Sequence, residues 1–279
     1  MSTKIIDPHL HFFNLLEGQY TWLQGANPPA WSNLDKIKQP ISVAELIKST
    51  DFELVGLVHI EAGFDNEQPI NELNWLAKHI KRLPYKAISF ATINQPNNAF
   101  KLALKYLKHS SLIGIRDITE GHDATRLLSP QCLDNLRHLS QLKLHFEAQF
   151  EVENLNITER LISYANQVSD LQIIINHTGL AHNLANWAAA IELLAKQPNV
   201  AIKFSGFELL MLNSEQQSQC FIHILKHFGM QRVMFASNFP VCQININYNE
   251  LWQHYRTLCD DTIIWQHLSY KNAARLYQL

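Results

Sequence analysis

The chain has 279 residues, 47% of them hydrophobic and 17% charged, with a formal net charge of -2. This balance offers neither a basic stripe for nucleic acid nor a polybasic anchor for a membrane, so the expected partner is a small anionic substrate. No apolar run approaches the roughly 18 residues of a membrane span, and the N-terminus enters the first strand signal without a leader-like apolar core, which predicts a soluble cytoplasmic protein.

The length suits one α/β barrel as well as two ordinary domains, and the pattern along the chain decides between them. Apolar or β-branched runs recur about every thirty residues, the length of one βα unit. They predict strands over Lys4 to Pro8, Leu54 to Ile60, Lys86 to Ile93, Leu112 to Ile118, Leu142 to Phe150, Leu171 to His177, Val200 to Ser205 and Arg232 to Ser237. Amphipathic stretches between them predict helices over Ile70 to Lys81, Asn98 to His109, Pro130 to Leu139, Glu159 to Val168, Trp187 to Lys196 and Glu215 to His227. Eight strand signals alternating with helices predict a single-domain (β/α)8 TIM barrel over residues 1–279, with an open doubly wound sheet as the alternative. The absence of a G-x-G-x-x-G after the first strand and of a P-loop lowers the dinucleotide and NTP readings. The long stretch 12–49, rich in Pro, Asn and Trp, is expected to form a loop layer over the active-site mouth. Cys132, Cys220, Cys242 and Cys259 are scattered without a C-x-x-C pair and are expected to be free thiols.

The active site of such a barrel lies at the carboxyl ends of its strands, so polar residues there carry functional weight. Strand one ends in Asp7, His9 and His11, and two imidazoles spaced i and i+2 face the same way. They suit a divalent metal or a polarised carbonyl oxygen, although a His-x-His can also satisfy backbone groups in a turn. Strand two places His59 and Glu61 on one face, and strand four brings Arg116 near its end. Strand five alternates so that Lys143, His145, Glu147 and Gln149 share a face. Strands six, seven and eight end in Asn176 and His177, in Lys203 and Ser205, and in Ser237 and Asn238. Each alone has an ordinary structural explanation, but a ring of imidazoles, carboxylates and cations at one end of a barrel describes a site for an anionic or strongly polar substrate.

The D-P-H-L-H of strand one, the G-I-R of strand four, I-N-H-T-G, I-K-F-S-G, A-S-N-F-P and the closing K-N-A-A-R-L-Y resemble, in order, the landmarks of the amidohydrolase superfamily. The branch they resemble is the one typified by pyrone dicarboxylate lactonase and sugar-acid lactonases. That resemblance implies a barrel hydrolysing a cyclic ester of a small carboxylated substrate. By position, His9, His11 and His177 match metal-binding and catalytic histidines, Arg116 matches an arginine that holds a substrate carboxylate, and Lys203 and Ser205 match the strand-seven Lys-x-Ser. His59 is a further substrate-binding candidate from its place on strand two. The resemblance implies one divalent metal, zinc or manganese, or none, because close relatives often work without a tightly held ion.

The departure is Asn238, which stands where the family pattern carries an aspartate acting as base or metal ligand. An amide has no useful proton affinity near neutral pH and binds a divalent metal more weakly than a carboxylate. Three outcomes stay open: Glu61, Glu147 or His177 replaces the base; the chain runs a different reaction, such as an isomerisation or proton transfer needing no activated water; or it is a non-catalytic small-acid binding protein on a retired enzyme scaffold, with a metal-dependent decarboxylase of the same superfamily as a further alternative.

Overall fold

The β-branched runs pair, strand by strand, into an eight-stranded sheet in the order β1 to β8, seen in a computed structural model that describes residues 3–208, 210 and 212–279. The strands are β1 Lys4–Leu10, β2 Glu53–Ile60, β3 Tyr85–Phe90, β4 Leu112–Ile118, β5 His145–Gln149, β6 Ile173–Ile175, β7 Val200–Phe204 and β8 Val233–Phe235. The helices are α1 Thr21–Gln24, α2 Val43–Lys48, α3 Ile70–His79, α4 Asn97–Tyr106, α5 Gln131–Gln141, α6 Leu155–Gln167, α7 Leu184–Ala195, α8 Ser214–Phe228, α9 Tyr248–Leu258, α10 Thr262–Gln266 and α11 Asn272–Tyr277. Parallel pairing with a helix after each strand makes this a (β/α)8 barrel, as the sequence pattern predicts.

The described residues form two compact units. One joins the two ends of the chain: residues up to Phe90, His109–Leu112 and Met234 onward. Its β1 is buried from Ile5 to Leu10 and pairs with β2 through two register shifts, one of them between Asp7 and Leu10, just where the histidine motif begins. The segment 12–49 is more structured than a plain loop. Ser42 and Glu45 close a capping box that starts α2, and Phe13 pairs with Ile41. Trp22 donates its indole N–H to the Ala62 carbonyl at 2.8 Å, and the Gln19 and Tyr20 amides donate to Phe64 and Gly63, which fastens the segment beyond the carboxyl end of β2. At the far end of the chain, Phe235 stacks on Tyr255 at 4.7 Å and α11 packs against β1.

The other unit comprises Ala91–Lys108 and Ile113–Val233. Its β6 reads Ile-Ile-Ile and is buried on both faces, the continuous apolar run expected of an interior parallel strand. On α7, Trp187, Ala190, Ile191 and Leu194 recur at helical spacing and are buried. The α8 helix starts on a second capping box, Asn213 with Gln216, and buries Cys220, Phe221, Ile224 and Phe228.

Several strands are shorter than predicted: β3 stops at Phe90, β6 covers only Ile173–Ile175 and β8 only Val233–Phe235, and at β5 a helix stop is the cause. Lys143 is not on β5: it sits at φ 57° as the left-handed residue that ends α5. Its N–H donates to Ser140 and that of Leu144 to Leu139, the paired bonds of a Schellman cap, so the helix stop consumes the first three residues of the predicted strand. The alternation of His145, Glu147 and Gln149 begins only after it.

Candidate active site

In the unit that joins the chain ends, β1 and the segment after β8 are laced together. Asp7 is fully buried and accepts the Ser237 hydroxyl, the Ser237 amide at 3.1 Å and the His9 amide at 3.2 Å. Burial pushes its carboxyl up to about 6, against the pull of those hydrogen bonds and of the neighbouring Tyr248 phenol. The Asn238 amide donates to the His9 carbonyl at 2.8 Å, and the His11 amide to that of Phe239 at 2.6 Å. Asn238 itself lies at φ 56°, a left-handed conformation that Asn tolerates better than most residues.

This lacing brings His9 and His11 together, with ring centroids 5.3 Å apart in an edge arrangement. His11 Nδ1 lies 2.8 Å from the Ile60 carbonyl, and its Nε2 lies 3.1 Å from Asn238 Oδ1. A carbonyl only accepts, so Nδ1 carries a proton and a neutral His11 presents a lone pair at Nε2 to another acceptor. Two acceptors at that separation are reconciled by a proton on Nε2, by rotating the amide so that its N–H donates, or by a cation bound to both. The donor set therefore fits a divalent cation held by His9 and His11 with the Asn238 amide oxygen beside them, and the carbonyl on Nδ1 is the usual orienting partner of a ligating imidazole. It is a neutral set at the strand-eight position, where a carboxylate would bring a charge.

His59 has different neighbours. Its Nδ1 accepts the Phe12 amide at 3.3 Å and its Nε2 lies 2.9 Å from Glu72 Oε1, so the ring is a neutral donor to a carboxylate that also accepts the Ala62 amide. Both residues are buried, and the pair ties β2 to α3. Glu72, overlooked in the sequence reading, stands among the buried Leu73, Trp75 and Leu76 of α3, and a carboxylate on an apolar helix face was the available signal. Glu61 is buried just past β2, its amide donating to Ile88.

In the second unit, His177 opens a turn in which His177, Thr178, Gly179 and Leu180 all have positive φ. Trp187 donates to the Thr178 carbonyl at 2.6 Å, and the Thr178 hydroxyl donates to that of Ser205 at 2.7 Å. His177 Nδ1 lies 3.1 Å from Ser205 Oγ. With Nδ1–H donating to the hydroxyl, Nε2 is left as the basic nitrogen, so Ser205 orients the imidazole. The side-chain amide of the fully buried Asn176, at the end of β6, has no partner at either atom among the described residues.

Lys203 and Glu147 meet each other. The ammonium and carboxylate are 2.6 Å apart with both side chains fully buried, so the positive charge expected to face a substrate is balanced within the barrel. Arg116 donates to Gln149 Oε1 at 2.8 Å, and Gln149 in turn donates to Glu120 at 2.7 Å. Asp117, beside Arg116, accepts from Arg126 at 2.6 Å and from the Ile93 amide, which makes it a brace for the strand end.

His145, buried at the start of β5, has its imidazole pushed down to about 4 by burial and by the Lys203 ammonium. Between that value and the ordinary 6.5, the unfolded chain takes up a proton that the folded one refuses, so His145 costs stability as pH falls through this window, ~3 kcal/mol in all. Asp7 has the opposite sign, because its raised value makes the folded state hold a proton that the unfolded one releases. The two are separated by comparing chemical denaturation of the parent and His145→Gln from pH 4 to 6.5: the variant is expected to show the flatter loss toward acid, and parallel curves would refute the assignment.

The sequence pattern of the amidohydrolase family matches residues 6–279. The chain belongs to that family. Within it, the chain is 28% identical over 298 residues to the uncharacterised protein y4mH of Sinorhizobium fredii, covering 99% of this chain and 98% of that one. A shorter match, 37% over 76 residues, covers 24% of this chain and 26% of the L-fucono-1,5-lactonase of Burkholderia multivorans. Among solved structures, a zinc-bound Burkholderia multivorans amidohydrolase superposes with a TM-score of 0.78 at 19% identity, covering 99% of both chains. A Pseudomonas putida protein assigned as a 2-pyrone-4,6-dicarboxylic acid hydrolase superposes with a TM-score of 0.73 at 17% identity, covering 100% of this chain and 98% of that one. These structural likenesses show the fold shared by the amidohydrolase and its neighbours. No helix among the described residues is long and apolar enough to cross a membrane.

Proposed function

We propose that this amidohydrolase opens a cyclic ester of a small carboxylated or sugar-acid compound. The observation that carries the reading is His11, locked by the Ile60 carbonyl with its Nε2 directed at the strand-eight residue and the His9 ring alongside. An oriented imidazole with a second ring beside it is suited to drawing charge onto a carbonyl oxygen. A divalent cation held by His9 and His11 would supply Lewis-acid polarisation of the ester.

His177, oriented by Ser205, takes a proton from water at Nε2 as the water oxygen bonds to the lactone carbonyl carbon. It returns that proton to the ring oxygen as the acyl carbon–oxygen bond breaks. This gives the base role to an imidazole in place of the missing aspartate, and it leaves Glu147 to its pair with Lys203. Glu61 is the alternative base. Arg116 supplies the guanidinium for the substrate carboxylate, and the Asn176 amide offers a donor and an acceptor for a further polar group. The segment 12–49, whose Phe13 ring stacks on His11 at 6.4 Å, forms the wall of the site on that side.

The test is hydrolysis of a panel of carboxylated five- and six-membered lactones. We expect His9→Ala and His177→Ala each to lower kcat/KM by at least about 100-fold, the low end for loss of a positioned acid–base group. Unchanged turnover in both variants would overturn the roles. The second reading, a small-acid binding protein, is favoured by Asn238 alone. It predicts that a carboxylated lactone or its open acid raises Tm without being turned over, and that Asn238→Asp gains hydrolysis absent from the parent.

A further inference from the structure

On the outer helices, α8 carries two histidines four residues apart, His223 and His227, and that spacing puts them on one face. Their ring centroids are 4.5 Å apart. Across from them on α7 stands Glu192, with His223 Nε2 3.8 Å and His227 Nε2 3.6 Å from its Oε1. One ligand atom from each of the three residues lies within 4.8 Å of the others. We propose that Glu192, His223 and His227 form a binding site for a divalent transition metal of the zinc class that staples α7 to α8.

Two observations support this over a simple surface ion pair. The nitrogen–oxygen separations are too long for hydrogen bonds, yet donors about 2.0–2.1 Å from a tetrahedral zinc stand roughly 3.4 Å apart, close to the spacing seen. His227 Nε2 is buried with no hydrogen-bond partner among the described residues, so a polar ring nitrogen there is left unsatisfied.

His223 is already seated on α7, with its Nε2 3.1 Å from the Ala188 carbonyl and its ring 5.5 Å from that of Trp187. A carbonyl only accepts, so this Nε2 carries a proton, and closing the cluster on a cation gives up that bond and moves the proton to Nδ1 as the partly exposed ring rotates. Two imidazoles and one carboxylate select zinc-like ions over magnesium or calcium, which prefer all-oxygen sets. With Glu192 half exposed, the fourth position is open to water.

The experiment is calorimetric titration of EDTA-treated, dialysed protein with zinc chloride, with Tm read in parallel. The parent is expected to bind one equivalent more than the His223→Ala/His227→Ala double variant, and magnesium chloride to give neither heat nor a Tm rise at these residues. Glu192→Gln, a milder change, is expected to weaken that extra equivalent at least about tenfold, the effect of removing roughly 1.4 kcal/mol of binding. Because the readout is a difference, metal taken up by His9 and His11 cancels. Equal stoichiometry and an equal zinc-induced Tm rise in parent and double variant would overturn the site. So would an undiminished affinity in Glu192→Gln.

Discussion

Lys203→Met is expected to cost about 3–5 kcal/mol of stability, because it leaves the Glu147 carboxylate fully buried without the ammonium 2.6 Å away. For a chain of this size that is a fall in Tm of roughly 10 °C. The cost comes from the stranded charge more than from the lost attraction. Taking two ions out of water is expensive, and their mutual attraction only offsets that expense. The prediction therefore has a second half. Glu147→Leu combined with Lys203→Met removes both charges, and the double variant is expected to recover most of what either single change loses. Calorimetric or chemical unfolding of the four proteins completes the cycle. A Lys203→Met protein as stable as the parent would show that burial of the Glu147 carboxylate does not depend on the Lys203 ammonium, and additive losses in the double variant would show that each residue is held mainly by other contacts.

Gly206→Ala is the second large effect, and it joins stability to chemistry. Gly206 has φ +87°, and a Cβ placed there would come 2.5 Å from His177 Cβ and 2.9 Å from Cγ. Backbone strain and overpacking together are expected to cost about 3 kcal/mol. The imidazole must also shift, and a displacement near 1 Å at a reacting group lowers turnover by about 100-fold. Gly229→Ala is the control: Gly229 also has positive φ, at +68°, but no atom lies within 4 Å of the added methyl, so only the backbone term of about 1 kcal/mol applies. The two variants are compared by Tm and by kcat/KM on whichever lactone the parent opens. Equal losses in both would mean that the contact with His177 carries no cost.

The barrel was legible because its signals are local. Each strand is a short β-branched run, and each helix between them repeats its apolar residues every three or four positions. The error at Lys143 is instructive, since a lysine in a left-handed helix stop leaves no mark like the glycine that usually fills that place. The polar strand ends were also legible as a set. What could not be read was how they share their bonds. Lys203 reaches Glu147 across 56 positions, and Asp7 reaches Ser237 across 230. His59 is paired by Glu72, which sits on a helix where strand-end reasoning does not look. Alternation says which way a side chain points, and the strand register then decides which neighbour claims it.

The seam of Asp7 with Ser237, His9 with Asn238 and His11 with Phe239 bears on the order in which the protein can be made. The unit holding both histidines draws on residues from each end of the chain, whereas the other lies within 91–233. On a ribosome the histidine motif is synthesised well before strand eight, and it meets its partners there only after position 239 has left the exit tunnel. Until then, an apolar strand bearing His9 and His11 must wait without the neighbour that orders it. An arrest sequence placed before residue 234 is therefore expected to leave strand β1 open to protease, while chains extended through residue 279 bury it.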